Sequence, residues 1–305
     1  MKHSRISALS ILIALGAQTA TADELRLRGG LTTGQESEYI FGGVVDTTQT
    51  FTTGYGLGGM IGLNYMTDDL VGSVGLDLGL QAIGLSGDTT EDPGGCEIHT
   101  FLGLISDCQD RVEVGSQTAF ADIHALASYT VNAGQTELLG GLSALGFRNA
   151  LTSDHIFPTG FENFVDRDTE FAGLGVKLGA RHQVALSRGL TLNIEGFVGQ
   201  YRGDREMTIS DLETEEGVFS ELREATFNDE IDVTTLELTP SIAMAADWVA
   251  DGATMEFGVS YKLFQGIVDT RNVVAHGDFD AFEGGDATDD IATTSLFAGL
   301  TIPLN

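Results

Sequence analysis

The sequence predicts an all-β fold, a transmembrane antiparallel up-and-down β-barrel of about ten strands. The first observation behind this prediction is an alternation of apolar and polar residues with a period of two, which puts each set on its own face of a strand. Between Thr254 and Phe264, for example, Phe257 and Val259 alternate with polar residues such as Ser260. The second observation is that short and long connections alternate along the chain, as periplasmic turns and extracellular loops do in such barrels.

The alternation recurs in segments that are each close to the length of a tilted, membrane-crossing strand. These segments are Leu25–Leu31, Tyr55–Met66, Leu70–Gln81, Thr118–Val131, Thr136–Arg148, Glu170–Val184, Leu190–Tyr201, Thr234–Trp248, Thr254–Phe264 and Ile291–Leu304. Short turns are predicted at Thr67–Asp69, around Asn132–Gly134, at Ala185–Gly189 and at Val249–Ala253. The segment Tyr39–Val45 is also strand-like, so eight and twelve strands stay open as alternatives.

Long polar stretches separate the predicted hairpins. They cover about residues 82–117, 149–169, 202–233 and 265–290, and we predict that they are extracellular loops. Within the third stretch, Ser210-Asp211-Leu212-Glu213 matches a capping box, and apolar residues follow it at helical spacing. A short helix is therefore predicted there.

A membrane barrel turns its apolar residues outward and its polar residues inward. The outward set predicted on three of the strands is Val74, Leu76, Leu78, Leu80, Leu192, Ile194, Val198, Leu236, Leu238, Ile242 and Met244. The residues predicted to line the lumen are Asp77, Asp122, His124, Lys177, Arg181, Glu195, Glu237, Glu256 and Lys262, with Asn193 on the same face. A ten-stranded barrel is narrow, so these charges need partners, and we expect Lys177 and Arg181 to pair with Glu195 across one hairpin.

A soluble β-sandwich or lipocalin-like barrel is the alternative, because its strands alternate in the same way with the apolar face turned into a core. Three features favour the membrane barrel. The strands are longer than the soluble average, short and long connections alternate strictly, and aromatic residues lie near strand ends, where they would meet the membrane interfaces. Those residues are Tyr55, Tyr65, Tyr129, Trp248 and Tyr261.

The N-terminus has the features of an export signal. A basic start is followed by the apolar run Ile11–Gly16 and by the small residues Ala20-Thr21-Ala22, which are typical of a secretory signal peptide and its cleavage site. We predict a signal peptide in residues 1–22 and a single barrel domain in residues 23–305. The protein is then exported through the periplasm to a bacterial outer membrane.

The chain is strongly acidic, with a formal net charge of −30. Nucleic acid is therefore excluded as a partner, since its phosphates would be repelled. The stretch from Asp204 to Asp232 carries much of the acidity and would concentrate cations at the outer mouth. Clustered carboxylates also suit Ca²⁺ or Mg²⁺, but the chain contains no calcium-loop motif, and no metal site or cofactor is predicted.

Cys96 and Cys108 lie in one polar segment. In the oxidising periplasm we expect them to form a disulfide that closes a surface loop. A metal site is the alternative, but only His99 lies close enough in the sequence to add a ligand.

Together with its alternating strands and its closing segment Ser295–Asn305, the chain resembles bacterial outer-membrane β-barrel proteins, and within them the Legionella-type major outer membrane protein family of pore-forming proteins. The resemblance covers the predicted mature chain but rests on a pattern rather than on motifs. It implies contact with outer-membrane lipids and with the barrel assembly machinery. Members of the class usually end in an aromatic residue, whereas this chain ends in Leu304 and Asn305.

Two function classes follow. The first is a porin-like protein for passive diffusion of small solutes, in which Asp77, Glu237 and Glu256 favour cations. The second is a non-conducting structural or adhesive barrel whose acidic loops meet lipopolysaccharide, divalent ions or a host surface. We do not predict an enzyme, because neither His276 near Asp278 nor His155 beside Asp154 completes a nucleophile motif. The oligomeric state is not determined by the sequence.

Overall fold

The structure is a computed structural model, and it places most of the predicted mature chain. It describes residues 24–35, 38–42, 48–52, 56–71, 74–91, 98–100, 103–105, 111–131, 135–156, 161–186, 189–215, 218–269 and 288–304. The predicted signal peptide, Cys96 and Cys108 lie outside the described residues. The signal peptide and the disulfide therefore stay predictions.

Ten antiparallel strands close into one barrel, which confirms the predicted fold class and strand number. The barrel strands are β1 (Glu24–Gln35), β4 (Gly56–Val71), β5 (Val74–Glu91), β8 (Arg111–Val131), β9 (Thr136–Ile156), β10 (Phe161–Ala185), β11 (Leu190–Glu215), β12 (Val218–Ala245), β13 (Thr254–Asp269) and β14 (Thr288–Pro303). Each strand pairs with the barrel strand before and after it, and β1 closes the ring by pairing with both β4 and β14. Chain closure removes every exposed sheet edge from the barrel wall.

Two small hairpins lie apart from the barrel sheet. β2 (Glu38–Gly42) pairs with β3 (Thr48–Thr52), and β6 (Ile98–Thr100) pairs with β7 (Gly103–Ile105). The described part of the strand-like segment Tyr39–Val45, residues 39–42, therefore belongs to a separate hairpin and does not add to the barrel.

Two of the stretches that the sequence predicted to be loops are mostly strands, so this prediction is wrong for both. Residues 149–156 and 161–169 continue β9 and β10, and residues 202–215 and 218–233 continue β11 and β12. We call this tall part of the wall, together with the adjoining Glu170, the extension. The other two predicted loops are shorter than expected, because β5 runs on to Glu91 and β13 to Asp269.

The predicted helix is also wrong. Ser210 to Glu213 belong to β11, and Leu222 pairs with Leu212 across the β11–β12 hairpin. The turn predicted at Thr67–Asp69 is likewise part of β4. The capping box was a chance match, because four-residue patterns cannot outweigh a pairing partner on the adjacent strand.

In the lower wall, which is the part of the barrel below the extension, the apolar residues face outward, as the alternation predicts. Leu174, Val176 and Leu178 on β10 are 75%, 52% and 62% exposed, and the intervening Lys177 is 2% exposed. On this strand the outward apolar residues extend from Leu174 to Val184. A tilted strand of that length spans the apolar band of about 25 Å that outer-membrane barrels present to lipid. No helix in the described part of the chain is long and apolar enough to cross a membrane.

We expect Leu178→Arg to lower the free energy of unfolding by about 2–4 kcal/mol, because Leu178 lies near the middle of the apolar band. The matched control is Asn228→Arg, an exposed outward position on the extension, where the cost falls to roughly 0–1 kcal/mol. Urea titration of the barrel in lipid vesicles measures both. Equal costs would show that the band does not face lipid.

Close approach of two strands requires glycine at one inward position of β9. A Cβ built on Gly141 would lie 2.1 Å from the carbonyl oxygen of Ala125, whereas a Cβ on the outward Gly84 would meet nothing within 4 Å. We expect Gly141→Ala to destabilise the barrel and Gly84→Ala to stabilise it by about 0.5–1 kcal/mol, since alanine loses less backbone entropy in a strand. The same urea titration checks the opposite signs.

Candidate functional site: the filled barrel interior

Charged side chains fill the lower part of the lumen. We call them the charged layer, and they comprise Arg26, Arg28, Asp77, Asp122, His124, Glu137, Lys177, Arg181, Glu195, Glu237, Glu256 and Lys262. All nine residues predicted to line the lumen belong to it and point into the barrel.

Arg181 contacts three carboxylates in one half of the charged layer. Its guanidinium donates hydrogen bonds to Glu195 Oε1 at 2.9 Å, Glu137 Oε2 at 2.6 Å and Asp77 Oδ2 at 3.0 Å. The pair with Glu195 follows from the strand register, which places the two residues directly opposite each other. Asp77 lies on β5, three strands away from β10 around the ring, so Arg181 connects two strands that do not pair with each other.

Lys177 forms the ion pairs of the other half of the charged layer. Its ammonium contacts Glu237 Oε1 at 2.9 Å and both carboxylate oxygens of Asp122 at 3.4 Å. Glu237 also accepts from Lys262 at 3.0 Å. The sequence predicts that Lys177 pairs with Glu195, but the strand register places Lys177 opposite Gly199. Its ammonium lies between carboxylates of β8 and β12 instead.

His124 joins the two halves. Its Nδ1 lies 2.9 Å from Asp122 Oδ1, and its Nε2 lies 3.7 Å from Asp77 Oδ1. Asp122 further accepts hydrogen bonds from the hydroxyls of Tyr201 at 3.0 Å and Ser143 at 3.3 Å. Each polar group of this junction therefore has a partner, as a low-dielectric interior requires.

Sequence reasoning missed two arginines on β1. Arg26 donates to Glu195 at 2.6 Å, and Arg28 donates to Glu256 at 2.6 Å and to Glu195 at 3.0 Å. A usable signal was present, since Leu25 and Leu27 alternate with these arginines and so place them on the inner face. Glu137 was missed too, and no sequence signal marks it.

An apolar layer lies above the charged layer, toward the extension. It contains Met60, Ile83, Leu85, Phe120, Leu145, Phe147, Phe171, Tyr201, Val233, Phe264, Ile267, Val268, Ile291 and Phe297, and we call it the aromatic layer. The rings of Phe120 on β8 and Phe264 on β13 stack with centroids 4.0 Å apart. These two strands lie on opposite sides of the ring of strands, so the contact spans the lumen.

The inward side chains fill most of the described lumen. A concave region of about 1570 Å³ is lined by outward residues such as the 66% exposed Ile61 and also by inward ones such as Phe120 and Phe147, which are each 4% exposed. A cavity inside the charged layer has only about 40 Å³. Because the inward side chains of both layers are largely buried, the described interior is packed rather than open.

The outer face of the extension is acidic. The register places Glu170 opposite Glu206 and Asp204 opposite Glu230, so carboxylates face each other on adjacent strands. Like charges directly opposite each other destabilise a sheet, and Arg202 offsets this by hydrogen bonding to Glu230 and lowering the pKa of that carboxyl. A net negative surface remains above the apolar band.

A known structure shares this architecture. The outer membrane protease OmpT from Escherichia coli matches with a TM-score of 0.50 and 11% identity, over 94% of this chain and 99% of OmpT. The fold is that of an outer-membrane β-barrel. A major outer membrane protein from Thermus thermophilus covers 90% of this chain and 99% of its own, with 11% identity and a TM-score of 0.34. The toluene transporter TbuX from Ralstonia pickettii has 9% identity, a TM-score of 0.35, and coverage of 94% of this chain and 90% of its own.

No protein-family model matches the chain, and no curated protein matches it. At 11% identity the match to OmpT establishes the fold alone. The resemblance to the Legionella-type family is therefore not confirmed and stays a prediction.

Proposed function

We propose that this protein is a closed outer-membrane barrel that acts through its acidic extension and does not conduct at rest. The observation that carries the proposal is the filled lumen, in which the stacked pair Phe120 and Phe264 lies above the ion pairs of Lys177 and Arg181. An ion would have to displace close-packed apolar side chains and then break buried ion pairs. Both steps cost several kcal/mol.

The proposed working surface is the outer face of the extension. Four barrel strands rise above the apolar band there, and they carry opposed carboxylates such as Glu170 with Glu206. Divalent cations bind oxygen ligands, so this surface suits Mg²⁺ or Ca²⁺ shared with the phosphates of lipopolysaccharide. Outer-membrane lipid is then the partner, and the barrel is the anchor.

A cation-preferring pore for small solutes is the second candidate. It is favoured by the polar character of the interior, since a barrel that only has to be closed can be filled with apolar side chains at no loss of stability. Against it, the three carboxylates expected to attract cations are each neutralised. Asp77 is paired with Arg181, Glu237 with Lys177 and Glu256 with Arg28.

Conductance in planar bilayers separates the two candidates. We expect refolded mature protein, with folding verified by heat-dependent gel mobility, to give no current steps. Reproducible cation-selective steps that shrink in Glu237→Gln plus Glu256→Gln would overturn the closed barrel and support the pore.

Binding to lipopolysaccharide tests the working surface. We expect Mg²⁺-dependent binding that chelation abolishes and that falls severalfold in Glu170→Gln plus Glu206→Gln. The matched control is Asp247→Asn plus Asp251→Asn, which removes the same number of charges from the exposed turn at the opposite end of the barrel. An equal loss in both variants, or no dependence on Mg²⁺, would contradict the proposed surface.

A further inference from the structure

The small cavity lies in the centre of the charged layer. Its volume is about 40 Å³, and its wall combines charged groups with polar and aromatic ones. Among the residues that line it are Arg26, Glu195, Thr239, Ser260 and Phe297. A buried cavity needs roughly 10–15 Å³ to hold one water molecule, and the water needs two to four polar partners. The cavity meets both conditions.

Arg26, which lines the cavity, has one donor without an acceptor among the described residues. The Nε–H of Arg26 donates no hydrogen bond in the described part of the chain, although the side chain is only 8% exposed. The other end of the guanidinium bonds Glu195 through Nη1 at 2.6 Å. Glu256 Oε1 is 4.0 Å from Nε, which is too long for a direct hydrogen bond. A buried N–H without an acceptor costs about 1–3 kcal/mol, so an acceptor is expected there.

We propose that this cavity is a hydration site, in which an ordered water molecule accepts the Arg26 Nε–H bond. Neutral water is favoured over a halide by the charge of the layer. Its carboxylates are Asp77, Asp122, Glu137, Glu195, Glu237 and Glu256, and its permanent cations are Arg26, Arg28, Lys177, Arg181 and Lys262. The carboxylates outnumber the permanent cations by one, and His124, between Asp122 and Asp77, can at most balance them. An added anion would therefore find no excess positive charge to neutralise in this low-dielectric space.

The cavity wall also offers acceptors for the two hydrogens of this water. The carboxylate of Glu195 and the hydroxyls of Thr239 and Ser260 share the cavity wall with Arg26, and the two hydroxyls already bond each other at 3.0 Å. A water that accepts from Arg26 can donate to two of these oxygens. The water then lies at the boundary of the two layers, where Phe297 and Met60 of the aromatic layer share the cavity wall, and the rest of the aromatic layer has no contact with it.

Hydroxyl-radical footprinting by X-ray radiolysis tests the site in the intact folded barrel, because radicals formed from a bound water label the side chains that touch it. Both rings belong to the aromatic layer, but Phe297, which is 5% exposed, also lines the cavity, whereas Phe264, which is 3% exposed, does not. We expect Phe297 to be labelled at least severalfold faster than Phe264. Equally slow labelling of both rings would overturn the proposal.

Bromide identifies the competing occupant. Crystals grown in bromide are expected to give no anomalous peak in the cavity, and a peak beside Arg26 Nε would replace the water with a halide and so overturn the proposal. Both measurements are independent of conductance and of lipid binding, so the hydration site and the proposed function can fail separately.

Discussion

Arg181→Met is expected to lower the free energy of unfolding by about 3–5 kcal/mol, the usual cost of removing one partner from a buried ion pair. Arg181 bonds Asp77, Glu137 and Glu195, and its side chain is 6% exposed. Methionine preserves most of the apolar stem of the side chain but removes its positive charge. The three carboxylates then lose a cation that offsets their charge in a low-dielectric space. Urea titration in detergent micelles or vesicles, followed by tryptophan fluorescence and gel mobility, measures the change.

Arg148→Met is the control for Arg181→Met. Arg148 bonds Asp168 at 2.6 Å, a distance like those of Arg181, but its side chain is 59% exposed. We expect a cost below about 1 kcal/mol, since exposed ion pairs contribute little. Similar costs at the two positions would mean that the charged layer is solvated like a surface, and that the lumen is open to water.

Phe120→Ala and Phe264→Ala are each expected to cost about 3–5 kcal/mol, because each leaves a cavity in a packed interior. The two rings stack with centroids 4.0 Å apart and are 4% and 3% exposed. The double variant should cost less than the sum of the two, with a coupling of about 0.5–1.5 kcal/mol from the lost ring contact. A double-mutant cycle from urea titrations gives this coupling.

The control for the aromatic layer is Phe257→Ala on β13, the same strand as Phe264. Phe257 faces outward and is 48% exposed, so lipid fills the space that its ring leaves. We expect a clearly smaller cost than at Phe264. If the three single variants cost the same, or if the cycle shows no coupling, the aromatic layer is not a packed barrier across the lumen.

The inner and outer faces of the barrel strands could be assigned from the sequence. Lys177 and Arg181 stand among apolar residues with a period of two, and that period fixes the face on which each side chain lies. The partners could not be assigned in the same way. Arg181 meets Asp77, which is 104 positions away, and this contact depends on barrel closure and on the width of the lumen.

The extension could not be distinguished from loops by sequence. Outward residues such as Asp204 and Glu206 meet water, as loop residues do, so the apolar face that marks a membrane strand is missing. The inward residues Met207 and Ile209 carried the remaining signal, with exposures of 0% and 4%. Alternation among polar residues is too weak to reveal a strand whose stability comes from pairing with its neighbours.

The sequence by itself determined a barrel of about ten strands, the outward apolar band and the set of charged residues that point inward, because the period of a strand and the lipid environment act on each residue locally. Only the tertiary structure decided how far the strands extend above the band, which charges pair, and that Phe120 meets Phe264 across the lumen. Those features depend on distances between strands that are far apart in sequence, and closure of the ring sets those distances.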